Sequence, residues 1–136
     1  MNQSLTALMT KLNWQLNELH SQLHETQNQL HKVRQEIEAL DEQIQQAGIN
    51  SLTINPDFEI NRLNFITQQH EKKEELNMTL KQHQDTEQNV EEKMQRIKTE
   101  LKMLEKYLER EQAELKEQQK KAENNALDEW VIQRGQ

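Results

Sequence analysis

The chain has 136 residues, of which 32% are hydrophobic, 4% aromatic and 30% charged, and this leaves too little apolar mass for a thick globular core. Its net charge of −7 disfavours nucleic acid and anionic lipid as partners, because both are bound by basic residues that neutralise phosphates. The sequence has no cysteine and shows neither a membrane span nor a secretory signal, so the expectation is a cytosolic protein that binds other proteins.

The first predicted element is a long helix over residues 1–47. Consecutive heptads run without a slip, and Thr26 is the one polar residue at their first and fourth positions. A strict 3.5-residue repeat on a helix of 3.6 residues per turn makes a narrow apolar stripe that another helix must cover. The pattern predicts a coiled coil rather than disorder, and the stripe consists of Met9, Leu12, Leu16, Leu19, Leu23, Thr26, Leu30, Val33, Ile37, Leu40, Ile44 and Ala47.

A turn is predicted at residues 48–55. Gly48 follows the last heptad residue, where a glycine in the left-handed conformation would end the helix. Asn55, Pro56 and Asp57 then supply an N-cap, a first-position proline and an acidic first turn. Two long helices joined by so short a connection fold back antiparallel. The predicted fold is therefore all-α, an antiparallel two-helix coiled-coil hairpin with a longer second helix.

The second predicted helix covers residues 56–136. Upstream of Leu80 its apolar residues change phase between Ile66 and Leu76, across the polar stretch 67–75, which predicts a loosely held middle. From Leu80 onward the stripe is clear and consists of Leu80, His83, Glu87, Val90, Met94, Ile97, Leu101, Leu104, Leu108, Glu111, Leu115, Gln118 and Ala122.

The second helix is predicted to outrun the first. If the turn is centred near residues 51–52, the residue numbers of two opposed positions add up to roughly 103. The N-terminal end of the first helix then lies opposite about residue 98. About 35 residues, or about 50 Å, would then project. A lone helix with an uncovered leucine stripe is unstable in water, so either this extension frays or another protein covers it.

No catalytic or metal site is predicted. His20, His24 and His31 could face one metal ion, but neither a cysteine nor a suitably spaced carboxylate completes the ligand set. The chain has no phosphate-binding glycine loop and no nucleophile elbow, and two helices cannot easily wall off a pocket. We therefore expect a protein that is not an enzyme and has no cofactor.

Three aromatic residues lie off the stripes: Trp14 at heptad position f, Tyr107 at position g, and Trp130 near the end of the chain. Tryptophan and tyrosine are favoured where interfaces concentrate binding energy. These residues are candidate partner contacts, and local packing or a third helix that folds back is the alternative.

The C-terminal third, which begins LEKYLEREQ at Leu104, resembles the FliJ/YscO family of small stalk proteins in flagellar and virulence type III export. Leu127-Asp128-Glu129-Trp130 followed by Arg134 matches the signature with which that helix ends, and Phe58–His70 looks like the segment that leads into the family's second helix. The resemblance implies a hairpin similar to the gamma stalk of rotary ATPases.

The same resemblance implies a function and a cellular location for this chain. The chain would bind the export ATPase ring and the cytoplasmic domain of the export gate membrane protein, and it would escort export chaperones, in the flagellar system. It would be cytoplasmic, peripheral to the inner-membrane export apparatus. The residues implied at the ATPase ring are Leu5, Leu8, Leu12, Leu101, Leu104, Leu108 and Leu115. Those implied at the gate are Ile37, Leu40, Ile44, Phe58, Leu63, Phe65 and His70.

Two other functions fit the sequence. One is a structural homodimer whose copies share the C-terminal stripe. The other is a cytosolic chaperone of the prefoldin type, which needs β-strand pairs beside its coils, and the segment 48–54 is short for that purpose.

Overall fold

The computed structural model describes residues 3–49 and 55–135 as two α-helices, α1 (Gln3–Ile49) and α2 (Pro56–Arg134). They form an antiparallel helical hairpin with a longer second helix, so the predicted fold is confirmed. Contacts divide it into two compact units: Leu16–Met94, and Met1–Gln15 with Gln95–Gln136. The predicted centre of the turn, residues 51–52, lies outside the described residues, as do residues 1, 2 and 136.

The predicted stripe of α1 is the buried face of that helix. Every heptad position from Met9 to Ala47 is buried or half-buried, Leu5 continues the row, and all other described residues of α1 are exposed. Thr26 is buried in this row, and its hydroxyl donates a hydrogen bond to the carbonyl oxygen of Gln22 at 2.9 Å. The polar member of the stripe is therefore satisfied within its own helix.

The buried face of α2 keeps one heptad phase, so the phase change predicted between Ile66 and Leu76 is wrong. The face passes through polar side chains, and Ile60 and Leu63 lie off it, exposed. Continuous packing farther along the coiled coil fixes the phase even where the local side chains are polar. The positions are Glu59, Arg62, Ile66, Gln69, Lys73, Leu76, Leu80, His83, Glu87, Val90, Met94, Ile97, Leu101, Leu104, Leu108 and Glu111.

The predicted N-cap of α2 is present. The Oδ1 atom of Asn55 accepts a hydrogen bond from the backbone N–H of Asp57 at 3.1 Å, and its carbonyl oxygen accepts one from Glu59 at 3.2 Å. Pro56 occupies the first helical position, where the missing N–H costs nothing. The side chain of Asn55 thus satisfies one of the N–H groups that a helix start leaves unpaired.

Replacing Asn55 by alanine is expected to lower the free energy of unfolding by about 1 kcal/mol, because the N–H of Asp57 loses its partner. Urea unfolding followed by circular dichroism measures the change. Asn61→Ala is the matched control, since Asn61 is exposed inside the same helix, where alanine is the better helix former. An equal loss in both variants would contradict the capping role.

The C-terminal end of α1 differs from the prediction. Gly48 is helical, no described glycine has a positive φ, and α1 continues to Ile49, so the left-handed glycine stop is wrong. The physical reason is a cap from the other helix: the Nη1 atom of Arg62 donates to the carbonyl oxygen of Ala47 at 3.3 Å. This bond satisfies a terminal carbonyl that a glycine turn would otherwise serve.

Arg62 is itself held by Glu59, to which it donates hydrogen bonds from Nε and Nη2. These bonds, more than any other cause, lower the pKa of Glu59 below its usual 4.5. Because the folded-state pKa is lowered, the interaction is present above pH 4.5 and is lost as the pH falls through the lowered value.

Contacts in the unit Leu16–Met94 show the register of the two helices. The Nζ atom of Lys73 lies 2.6 Å from Oδ1 of Asp41, and a shallow groove is lined by Ala39 and Leu40 from α1 and by Leu76 from α2. When the two heptad rows are aligned through these contacts, the residue numbers of two opposed positions add up to about 113. The predicted sum of roughly 103 is therefore wrong.

The shifted register shortens the predicted extension. In the unit that joins Met1–Gln15 with Gln95–Gln136, Leu12 and Leu101 are buried, and Leu104 and Leu108 are half-buried. The prediction that Leu101, Leu104, Leu108 and Leu115 form an uncovered row is wrong for the first three, because the beginning of α1 covers them, whereas Leu115 is exposed. Every described residue from position 112 onward is exposed. The uncovered segment of α2, residues 112–134, is about 35 Å long at about 1.5 Å per residue.

Candidate partner-binding surfaces

The residues implied at the ATPase ring divide into three groups by exposure. Leu12 and Leu101 are 7% and 8% exposed, and a second protein cannot reach them while the hairpin is intact. Leu8 and Leu115 are exposed, at 44% and 41%. The remaining three, which are half-buried between the helices, are Leu5, Leu104 and Leu108.

The residues implied at the export gate divide into two groups by helix. On α1 they are half-buried in the hairpin: Ile37, Leu40 and Ile44. On α2 they are all exposed: Phe58, Leu63, Phe65 and His70. Among the described residues, the accessible candidates at this end therefore lie on α2.

The apolar side chains at the start of α2 are exposed because they lie off the buried row of that helix, and Phe58, Ile60 and Leu63 also precede the residue that lies opposite the last helical residue of α1. The register places Ile49, the last helical residue of α1, opposite about residue 64 of α2. Phe58 and Phe65 are separated by seven residues and share one side of the buried row, while Ile60 and Leu63 lie on its other side. Ile60 belongs to this exposed group and is not among the predicted site residues.

The three predicted aromatic contacts are all exposed. Trp14, at 71%, faces away from the partner helix, as its heptad position predicts. Tyr107 and Trp130 are about half exposed. The described residues form two helices, so no third helix among them covers these rings. Whether they contact a partner stays a prediction.

The end of α2 carries a second apolar surface. Leu127, Trp130, Val131 and Arg134 follow the i, i+3, i+4, i+7 spacing of one helix face, and the three apolar side chains are all more than half exposed. The guanidinium of Arg134 lies 4.3 Å from the centroid of the Trp130 ring, a cation–π contact that orients the indole. Sequence reasoning selected Trp130 alone and missed Val131, although the spacing was a sufficient signal.

One of the three histidines that could have faced a metal ion, His31, has a hydrogen-bond partner on its own helix. The Nε2 atoms of His31 and Gln35 lie 3.1 Å apart as a hydrogen-bonded pair one helical turn apart. Over residues 3–49 and 55–135, no three His, Asp or Glu side chains are grouped in a way that could hold a metal ion. Within the same residues, neither helix contains a stretch long and apolar enough to cross a bilayer.

No protein-family model, no curated protein and no solved structure matches this chain. The resemblance to the FliJ/YscO family stays a prediction that depends on the residues quoted for it.

Proposed function

We propose that this chain is a non-enzymatic stalk protein of the flagellar type III export apparatus. In this role it joins the export ATPase ring to the cytoplasmic domain of the export gate and escorts export chaperones. One observation carries the proposal: the signature Leu127-Asp128-Glu129-Trp130, with Arg134, lies on the exposed end of a helix that outruns its hairpin partner.

The form of the hairpin supports a coupling role. A stalk must present separate contacts at its two ends, and exposed apolar side chains occur at both ends of α2. We therefore assign the contacts with the ATPase ring to accessible residues of α2. Leu115, Leu127 and Trp130 are accessible on the uncovered segment, whereas Leu101 is occupied within the hairpin. At the turn end, Phe58 and Phe65 are the accessible contacts for the gate.

The test is co-purification of the full chain with the export ATPase, together with measurement of ATP turnover. We expect the double variant Leu127→Ala with Trp130→Ala to lose ATPase association, because truncation of exposed aromatic anchors removes binding energy. Helicity and thermal unfolding should be unchanged, since both side chains are exposed. Unchanged association and unchanged turnover in this variant would contradict the proposal.

A matched control is Met78→Ala with Met103→Ala. These side chains are also exposed on α2, each at 67%, and neither belongs to a proposed contact. A second variant, Phe58→Ala with Phe65→Ala, should weaken binding of the gate's cytoplasmic domain and leave ATPase association intact. Substituting Leu104 or Leu108 is unsuitable, because half-buried side chains at these positions hold the hairpin together.

The prefoldin alternative needs β-strand pairs beside the coils, and most of the segment that would supply them, residues 50–54, lies outside the described residues. Residues 3–49 and 55–135 contain no strand, so the β-strand pairs that such a chaperone needs are not among the described residues.

A further inference from the structure

The uncovered segment of α2, residues 112–134, has a stripe of its own. Its members step by four, three, four and four residues, which keeps them on one side of a straight helix. Large side chains stand at the ends of the stripe and alanines near its centre, and all are exposed: Leu115, Gln119, Ala122, Ala126 and Trp130. A helix this long with an unpaired stripe is marginal alone in water.

The charges of this segment are divided along its length. Between the flanking Glu114 and Arg134, residues 116–121 form a basic half with three lysines and one glutamate, and residues 122–129 form an acidic half with Glu123, Asp128 and Glu129 and no basic residue. Two copies side by side in the same direction would place like charges together. Two copies in opposite directions place the basic half of each against the acidic half of the other, twice by symmetry.

The stripe is self-complementary in the same antiparallel direction. With the two-fold axis near Ala122, Leu115 meets Trp130 of the second copy, and Gln119 meets Ala126. Ala122 then meets its own counterpart, and small residues there let the helix axes approach closely. Lys120 comes within reach of Glu123 of the second copy at two equivalent places. Both the apolar stripe and the charges thus favour antiparallel pairing with a second copy of the same segment.

We infer that residues 112–134 pair antiparallel with the same segment of a second copy of this chain. The inference goes beyond the proposed function and does not depend on it, because the contact needs no export component. The stripe is short and only its end layers are large, so the dimer is weak, with a Kd on the order of 10⁻⁵–10⁻³ M.

Sedimentation equilibrium of the full chain tests this inference. We expect a monomer–dimer equilibrium that depends on protein concentration and weakens as salt is added. Ala122→Glu should abolish the dimer, because it opposes two carboxylates at the centre of the contact. Ala113→Glu adds the same charge to the opposite side of the same segment and should leave the dimer intact. A monomer at all concentrations up to about 1 mM, or equal loss in both variants, would overturn the inference.

Two further measurements test the direction of pairing. Lys120→Glu and Glu123→Lys should each weaken the dimer about tenfold, and the two changes in one chain should restore it. Because the natural chain has no cysteine, Gln119→Cys and Ala126→Cys chains can be mixed and air-oxidised. Antiparallel pairing joins position 119 to position 126, whereas predominant 119–119 and 126–126 disulfides would overturn it.

Discussion

Replacing Leu101 by alanine is expected to lower the free energy of unfolding by about 3 kcal/mol, whereas the same change at Leu115 should cost well under about 1 kcal/mol. The two leucines lie on the same helix at equivalent heptad positions, two heptads apart. Leu101 is 8% exposed against the beginning of α1, and Leu115 is 41% exposed beyond it. Residue type and helix propensity are the same at both positions, so the difference between the two free-energy changes measures the effect of burial by α1.

The large loss at Leu101 has two causes. Truncation removes apolar surface that is buried in the hairpin, and it leaves a cavity that two packed helices cannot fully close. At Leu115 neither cause operates in the monomer, since no described residue of α1 reaches that position. Urea unfolding followed by circular dichroism at 222 nm gives both values, at a protein concentration low enough to keep the chain monomeric. Small and equal losses would mean that α1 does not cover Leu101 and that the longer extension predicted from the sequence is right.

The buried face of α1 could be predicted from Met9 to Ala47 because apolar side chains occupy its heptad positions with one polar exception. The same reasoning failed at the start of α2, where the buried row consists of side chains such as Gln69 and Lys73. There the nearby apolar residues Ile60 and Leu63 suggested a different phase. Which residues of that region face α1 is determined by packing farther along the helix. A pattern search limited to the nearby residues does not include that packing.

The register could not be predicted from heptads, because a shift by seven residues aligns the same rows again. It is visible only in individual contacts between the helices, of which Asp41 with Lys73 is an example. The candidate contacts depend on the register in turn. The exposure of Trp14 follows from heptad position alone and was predicted, while the burial of Leu101 follows from where α1 begins and was not. The end of α1 was missed for a similar reason, since its cap comes from Arg62, fifteen residues away.

Gln69 is the least favourable member of the buried row of α2. It is 7% exposed, and its Oε1 atom accepts no hydrogen bond from any described residue. The register places it opposite Ile44, in an environment that offers no donor. A buried amide oxygen without a partner costs about 1–3 kcal/mol, because it loses its hydrogen bonds to water and gains none in the fold.

Replacing Gln69 by leucine is accordingly expected to raise the free energy of unfolding by about 1–2 kcal/mol. Leucine removes the unpaired amide and supplies an apolar side chain at a position where the coiled coil buries one. Gln68→Leu is the matched control: Gln68 is the exposed neighbour on the same helix, and the change there should leave the unfolding midpoint nearly unaltered. Urea unfolding measures both variants, and sedimentation confirms that neither has gained a new oligomeric state. A loss of stability in Gln69→Leu would show that the amide is hydrogen-bonded in solution and that the polar row contributes to holding the register. A gain would show that the hairpin keeps this register despite Gln69, through the apolar layers on either side of it.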